Sequence, residues 1–126
     1  MRALRIPFFV LILLVALSLA NTVAMTRHCD RWSQTLDAAQ KAVADERWSE
    51  ADRLLKDLQK SWASRSVWLR VVLSHNTVDE ADQLMDRARL MVSLQEATHA
   101  RDTMAELNGV LERISGGEQF SLSNIL

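Results

Sequence analysis

Three histidines, one cysteine and a spread of carboxylates are the side chains that could do chemistry. Their spacing argues against most of it. His28, His75 and His99 stand far apart, whereas a helical metal site needs ligands about one turn apart on one face. His28 precedes Cys29, but adjacent residues on a helix diverge by about 100°. His75 and Asp79 are one turn apart across a turn-to-helix boundary, close enough for a single local contact. The plainer expectation for His75 is a turn histidine that bonds backbone or caps the acidic start of the next helix. Cys29 lies between Arg27 and Arg31, cations that could lower a thiol pKa. It also falls on an apolar helical stripe, so a buried small hydrophobe is expected. The chain has no Gly-x-Ser-x-Gly elbow and no glycine-rich phosphate loop. Carboxylates alternate with cations as a solvated face, Glu50 with Arg53 and Asp82 with Arg87. The sequence therefore predicts no enzyme, no metal and no cofactor.

Four tryptophans are the remaining unusual residues. Trp48 and Trp62 share nearly one helical bearing, about 40° apart over 14 residues. Stacked on a ligand, they would line a cleft with His75. Leucines fill the spacing between them, so core packing is the stronger expectation. Trp32 follows the apolar N-terminal run by two turns, and could touch lipid headgroups.

That run positions everything else. Arg2 and Arg5 precede Ile6 to Thr26, 21 residues without a charge. A helix of that length crosses a hydrocarbon core of about 30 Å. Pro7 falls in its first turn, where a missing N–H costs little. A core helix is disfavoured, because the run is apolar on all faces. A cleaved signal peptide, cut after Ala20 or Ala24, is the sharper competitor. Against cleavage, Val23, Met25, Cys29, Trp32, Leu36, Ala39 and Val43 continue the helical period, as in a stem. We expect residues 1–26 to be a transmembrane anchor (or signal peptide) and 27–126 a helical domain outside the cytoplasm. Arg2 and Arg5 favour an N-terminus inside, although Arg27 and Arg31 weaken that bias.

Net charge is −1 for the whole chain, and there is no basic block. Nucleic-acid binding is disfavoured on electrostatic grounds. Only three glycines and one proline interrupt a composition of helix formers. The expected fold is all-α: the transmembrane helix, its stem to about Ala44, then a small antiparallel bundle. Asp45 is expected to cap a second helix with Trp48, Ala51, Leu55, Leu58 and Trp62 inward. Ser64 to Ser66 either break it or bend it, since Trp68, Val71, Val72 and Leu73 continue the apolar pattern. Thr77 with Glu80 reads as a capping box opening a third helix, whose inner stripe is Val78, Ala81, Met85, Ala88 and Val92. After a break at Gln95 to His99, a last helix buries Ala100, Met104, Leu107, Leu111 and Ile114. Gly116 and Gly117 are expected to end it in a left-handed cap. The 34-residue tetratricopeptide period does not recur. The tail is apolar for a terminus, and Phe120, Leu122, Ile125 and Leu126 are expected to dock on the domain or bind a partner.

With these positions in place, the chain resembles the domain-of-unknown-function 4363 family. The resemblance lies in Trp48, Ala51, Leu54, Leu55, Trp62, His75, Asp79, Glu80 and the closing Asn124, Ile125 and Leu126. It implies a small, bacterial, N-terminally anchored helical protein, and brings no activity with it. The expected function is a non-enzymatic interaction module tethered in a single pass to the bacterial cell membrane through residues 6–26, with a protein partner. A small-molecule-binding bundle is the alternative, and an envelope hydrolase using His75 with Asp79 or Glu80 is the weakest reading.

Overall fold

A computed structural model describes residues 2–118, and every regular element among them is helical. Helix α1 spans Arg2–Ala44, α2 Trp48–Ser64, α3 Ser66–Val72, α4 His75–Ser93 and α5 Ala97–Arg113. A π-helical turn, Ile114–Glu118, follows α5. Phe120, Leu122, Ile125 and Leu126 lie outside the described residues.

The 43 residues of α1 extend about 65 Å at ~1.5 Å each. Its halves have opposite surroundings. From Arg5 to Ala20 every residue is exposed. From Met25 onward, Met25, Cys29, Trp32, Leu36, Ala39 and Val43 are buried. The stem is thus itself a bundle helix rather than a support beneath one. It packs on α2 and α5, and α4 packs on the same two, so four helices close a ring around one core. Short connections make neighbours antiparallel. We call the end that the apolar half of α1 enters the near end, and the opposite end the far end.

Two matching turns build the far end. After Ala44, the Glu46 N–H donates to Val43 O and the Arg47 N–H to Ala42 O, at 3.0 and 2.7 Å. After Ser93, Gln95 donates to Val92 O and Glu96 to Met91 O, at 3.0 and 2.9 Å. Both are Schellman motifs, which satisfy helix-end carbonyls through one left-handed residue. Glu46 and Gln95 take that conformation, with φ of 60° and 55°. Arg47 and Glu96 then serve as N-caps of α2 and α5, with no side-chain cap bond. Asp45 is therefore part of the turn rather than the cap, and pairs with Arg47 at 3.4 Å. The second break is also tighter than expected, because α5 already includes Ala97 to His99.

The likeness extends beyond the turns. Nine of the eleven buried positions of the α1–α2 hairpin recur as buried positions 49 residues later in α4–α5; the exceptions are Met25, which matches the exposed Ser74, and Ala42, which matches the partly buried Met91. Cys29 matches Val78, Leu36 matches Met85, Ala39 matches Ala88, Val43 matches Val92, Ala51 matches Ala100, and Leu58 matches Leu107. Two hairpins with one pattern face each other. Among the matched buried pairs they differ most in bulk at Trp32 against Ala81 and Trp62 against Leu111.

The inner stripes are otherwise those the periodicity predicts, with Trp48, Leu54 and Met91 only partly buried at the margins. Two helix ends depart from expectation. Ser74, not Thr77, caps α4: its Oγ accepts from the Thr77 N–H at 3.3 Å, and α4 begins at His75. Glu80 instead meets Arg113 of α5 at 3.0 Å. At the end of α5 the chain widens into the π-helical turn, and Gly116 takes no left-handed φ. Ile114 is still fully buried there, so the wider turn keeps its side chain on the core.

Candidate functional site

The near end carries the densest arrangement of aromatic groups. Trp62 of α2 meets Trp32 of α1 edge to face, ring centres 5.0 Å apart. Trp32 stacks on His28 at 5.7 Å, and the Trp68 ring of α3 meets His28 edge-on at 5.7 Å. Centroid distances of this size are those of favourable aromatic pairs. His28 and Trp32 are one turn apart on α1, so the helix itself sets their stacking.

Each indole N–H in the column has an acceptor. Trp32 Nε1 donates to Ser61 Oγ at 2.9 Å, and Trp62 Nε1 to Asp82 Oδ1 at 2.7 Å. Trp68 Nε1 donates to Asn21 Oδ1 at 2.7 Å. These bonds reach across helices, so they fix register as well as satisfying buried donors. Trp32 is thus a core residue, only 2% exposed, and does not reach outward as one expectation had it. Trp68 is the tryptophan at the margin of the apolar run.

Burial holds His28 below its ordinary pKa, and the cations Arg65 and Arg31 lower it further. A neutral imidazole suits a ring sandwiched between indoles. Burial pushes the neighbouring Cys29 thiol up to about 12, with Asp30 adding to the effect. Cys29 is 2% exposed and has the packing of a small hydrophobe. The cations Arg27 and Arg31 do not activate it, because loss of hydration outweighs them.

The residues singled out from sequence do not converge. Trp48 is half-buried at the far end, while Trp62 is buried near the other. Along α2 they are about 21 Å apart at ~1.5 Å per residue. Two open depressions border Trp48, one with Arg47 and Glu50 and the other with Asp52 and Arg89. His75 is exposed as the first residue of α4, not in a turn. Asp79 faces Arg70 of α3 at 3.7 Å. Asp82 takes the Trp62 indole and also faces Arg70, at 3.7 Å, in place of the expected pairing with Arg87. Glu50 does pair with Arg53, at 2.6 Å. Among the described residues, no three His, Cys, Asp or Glu side chains gather as a metal site requires.

Sequence reasoning missed His28 as a packing residue and left open whether a break follows Ser64; the structure breaks at Arg65 and makes α3 distinct. A signal for the first was present: His28 stands four residues before Trp32, on the stripe that Met25 begins. The tertiary partner Trp68 was not legible, because it comes from 40 residues away in the chain.

Within the apolar half of α1, Thr22 Oγ1 donates to Ser18 O at 2.9 Å. That bond satisfies the hydroxyl inside its own helix. Among the described residues α1 is the one helix long and apolar enough to cross a membrane.

A family model described as "Domain of unknown function (DUF4363)" matches residues 20–125. The chain belongs to that family. No curated protein and no solved structure matches it.

Proposed function

We propose that this family member is a membrane-tethered, non-enzymatic interaction module, anchored through residues 6–26. One observation supports this above others: a single unbroken helix is apolar and bare over its first half and buried over its second. Ile6, Phe9 and Leu13 are 68%, 67% and 59% exposed. Each such side chain left in water forgoes about 1.5–3 kcal/mol of burial. A bilayer removes that cost without any change to the bundle. The N-terminus lies inside, and the bundle stands outside the cytoplasm, since Arg2 and Arg5 precede the run.

Arg47, Arg53, Arg70, Arg89 and Arg113 are engaged in surface pairs, and the aromatic groups of the near end in packing. A role in holding a protein partner at the membrane surface fits this better than chemistry does. In this reading the family pattern is largely architectural: Ala51, Leu55 and Trp62 are core residues.

Two measurements test the proposal. The mature chain is expected in the membrane fraction after alkaline carbonate extraction, with its N-terminal mass including residues 1–20. A soluble chain beginning at Asn21 or Met25 overturns the anchor. Crosslinking in intact cells followed by pull-down is expected to recover a protein partner at fixed stoichiometry. Turnover of an envelope substrate by the purified chain would overturn the non-enzymatic reading.

A further inference from the structure

We propose that α3 is a second membrane contact, seating Val67 and Val71 in the headgroup zone of the bilayer that α1 crosses. The proposal rests on the anchor reading and adds to it a surface and a ligand class, a phospholipid interface. Three observations support it.

The first is position. Trp68 Nε1 is bonded to Asn21 Oδ1 at 2.7 Å, and its ring contacts His28. α3 therefore lies beside residues 21–28 of α1, where the uncharged run Ile6 to Thr26 gives way to Arg27. Any bilayer around that run ends at the level of α3.

The second is orientation. Leu69 is fully buried and holds one face of α3 to the core, with Trp68 and Val72 packed beside it. Val67 and Val71 are one turn apart, about 40° from a common bearing and about 160° from Leu69. Both are 79% exposed, more than any large apolar residue described in α1. A seven-residue helix with an apolar outer face has no reason to face water. An interfacial helix has one, and a tryptophan at its margin is the usual companion.

The third is charge. Arg65 precedes α3, and Arg65 and Arg31 both act on His28, so they share its surroundings. Arg27 is exposed one residue before it. Asp30 and, beside it, Glu112 of α5 are the nearby acids, and Arg70 is occupied by Asp79 and Asp82. Three cations against two acids leave a positive balance that suits anionic lipid headgroups.

The full chain tests this in vesicles of phosphatidylcholine and phosphatidylglycerol. On a Cys29→Ala background, Leu13→Cys, Val67→Cys, Val71→Cys and Gln95→Cys are each labelled with an environment-sensitive fluorophore. Nitroxides are placed on lipids at shallow or deep positions. The labels at Val67→Cys and Val71→Cys are expected to shift to the blue and to be quenched by shallow nitroxides. The label at Leu13→Cys should be quenched by deep nitroxides, and that at Gln95→Cys by neither. If the α3 labels behave like Gln95→Cys while Leu13→Cys is deep, the α3 contact is wrong and the anchor stands. If Leu13→Cys also behaves like Gln95→Cys, the anchor itself fails and the α3 contact falls with it.

Discussion

Replacing Trp62 with alanine should be the most damaging single change in the bundle. The side chain is 2% exposed, on the α2 face that packs toward α1 and α4. A buried indole hides about 200 Å² of surface, worth about 5 kcal/mol at 25 cal per Å². Alanine keeps a small part of that, and the neighbours relax only partly into the space. The edge-to-face contact with Trp32 at 5.0 Å adds about 1 kcal/mol beyond area. The bond to Asp82 adds less than its 2.7 Å length suggests, because the Asp82 side chain is 43% exposed and water can replace the donor. The expected loss is ~3–5 kcal/mol. Trp62→Phe keeps a ring against Trp32 and should lose only ~1–2 kcal/mol. Urea unfolding of residues 21–126, followed by far-ultraviolet circular dichroism, reads both. The fragment must start no later than Asn21, because Met25 and Cys29 belong to the core and Asn21 holds Trp68. A cycle with Trp32→Ala should show a coupling of about 1 kcal/mol. A loss below about 0.5 kcal/mol for Trp62→Ala would mean a surface residue, and would refute the packing argument.

Trp48→Ala should cost only ~1–2 kcal/mol in the same assay, since it is only partly buried at the margin of the core; a loss equal to that of Trp62→Ala would contradict the structure. Ser74→Ala should cost ~1 kcal/mol as a lost N-cap, whereas Glu80→Gln should cost under about 1 kcal/mol as a lost surface pair. The reverse order would restore Thr77 and Glu80 as a capping box. His28 has a folded pKa below 6.5, so the unfolded chain binds its proton first as pH falls. Its contribution is complete above about 6.5 and is lost as pH drops from there toward the folded value. His28→Gln should flatten that part of the stability profile, and an unchanged profile would exclude the assignment. Cys29, with a thiol pKa near 12, should react with an aromatic disulfide at pH 8 far more slowly in the folded chain than in urea. Equal rates would show the thiol to be exposed.

What was readable in the sequence follows one physical rule. Helical periodicity reports which face is buried, so Leu55, Leu58, Met85, Met104 and Leu107 were legible as core without any knowledge of partners. Helix ends were less so. Asp45 and Thr77 have the chemistry of caps, but Arg47 and Ser74 hold those places: the Schellman turn decides where α2 starts, and the Ser74 hydroxyl caps α4 three residues before Thr77. Glutamate and glutamine at the two left-handed positions hid turns that glycine would have marked. The hairpin likeness was hidden by size: Trp32 and Ala81 occupy equivalent positions but share nothing as residue types. The near-end column needed tertiary contacts, since the bond between Trp68 and Asn21 joins residues that no local pattern relates.

The continuity of α1 has a mechanical meaning. No linker separates its bare half from its packed half, so the bundle cannot swivel about that half. With α1 anchored as proposed, helical phase would set the bundle's azimuth in the membrane plane. One residue inserted between Ala20 and Asn21 would turn the whole bundle by about 100° and lift it by about 1.5 Å. Four inserted residues would raise it by about 6 Å and bring it back to within about 40° of its starting direction. The face that an anchored bundle would turn toward a partner is thus encoded in a residue count. Insertions of one to four residues should disrupt and partly restore that alignment in step with the helical repeat.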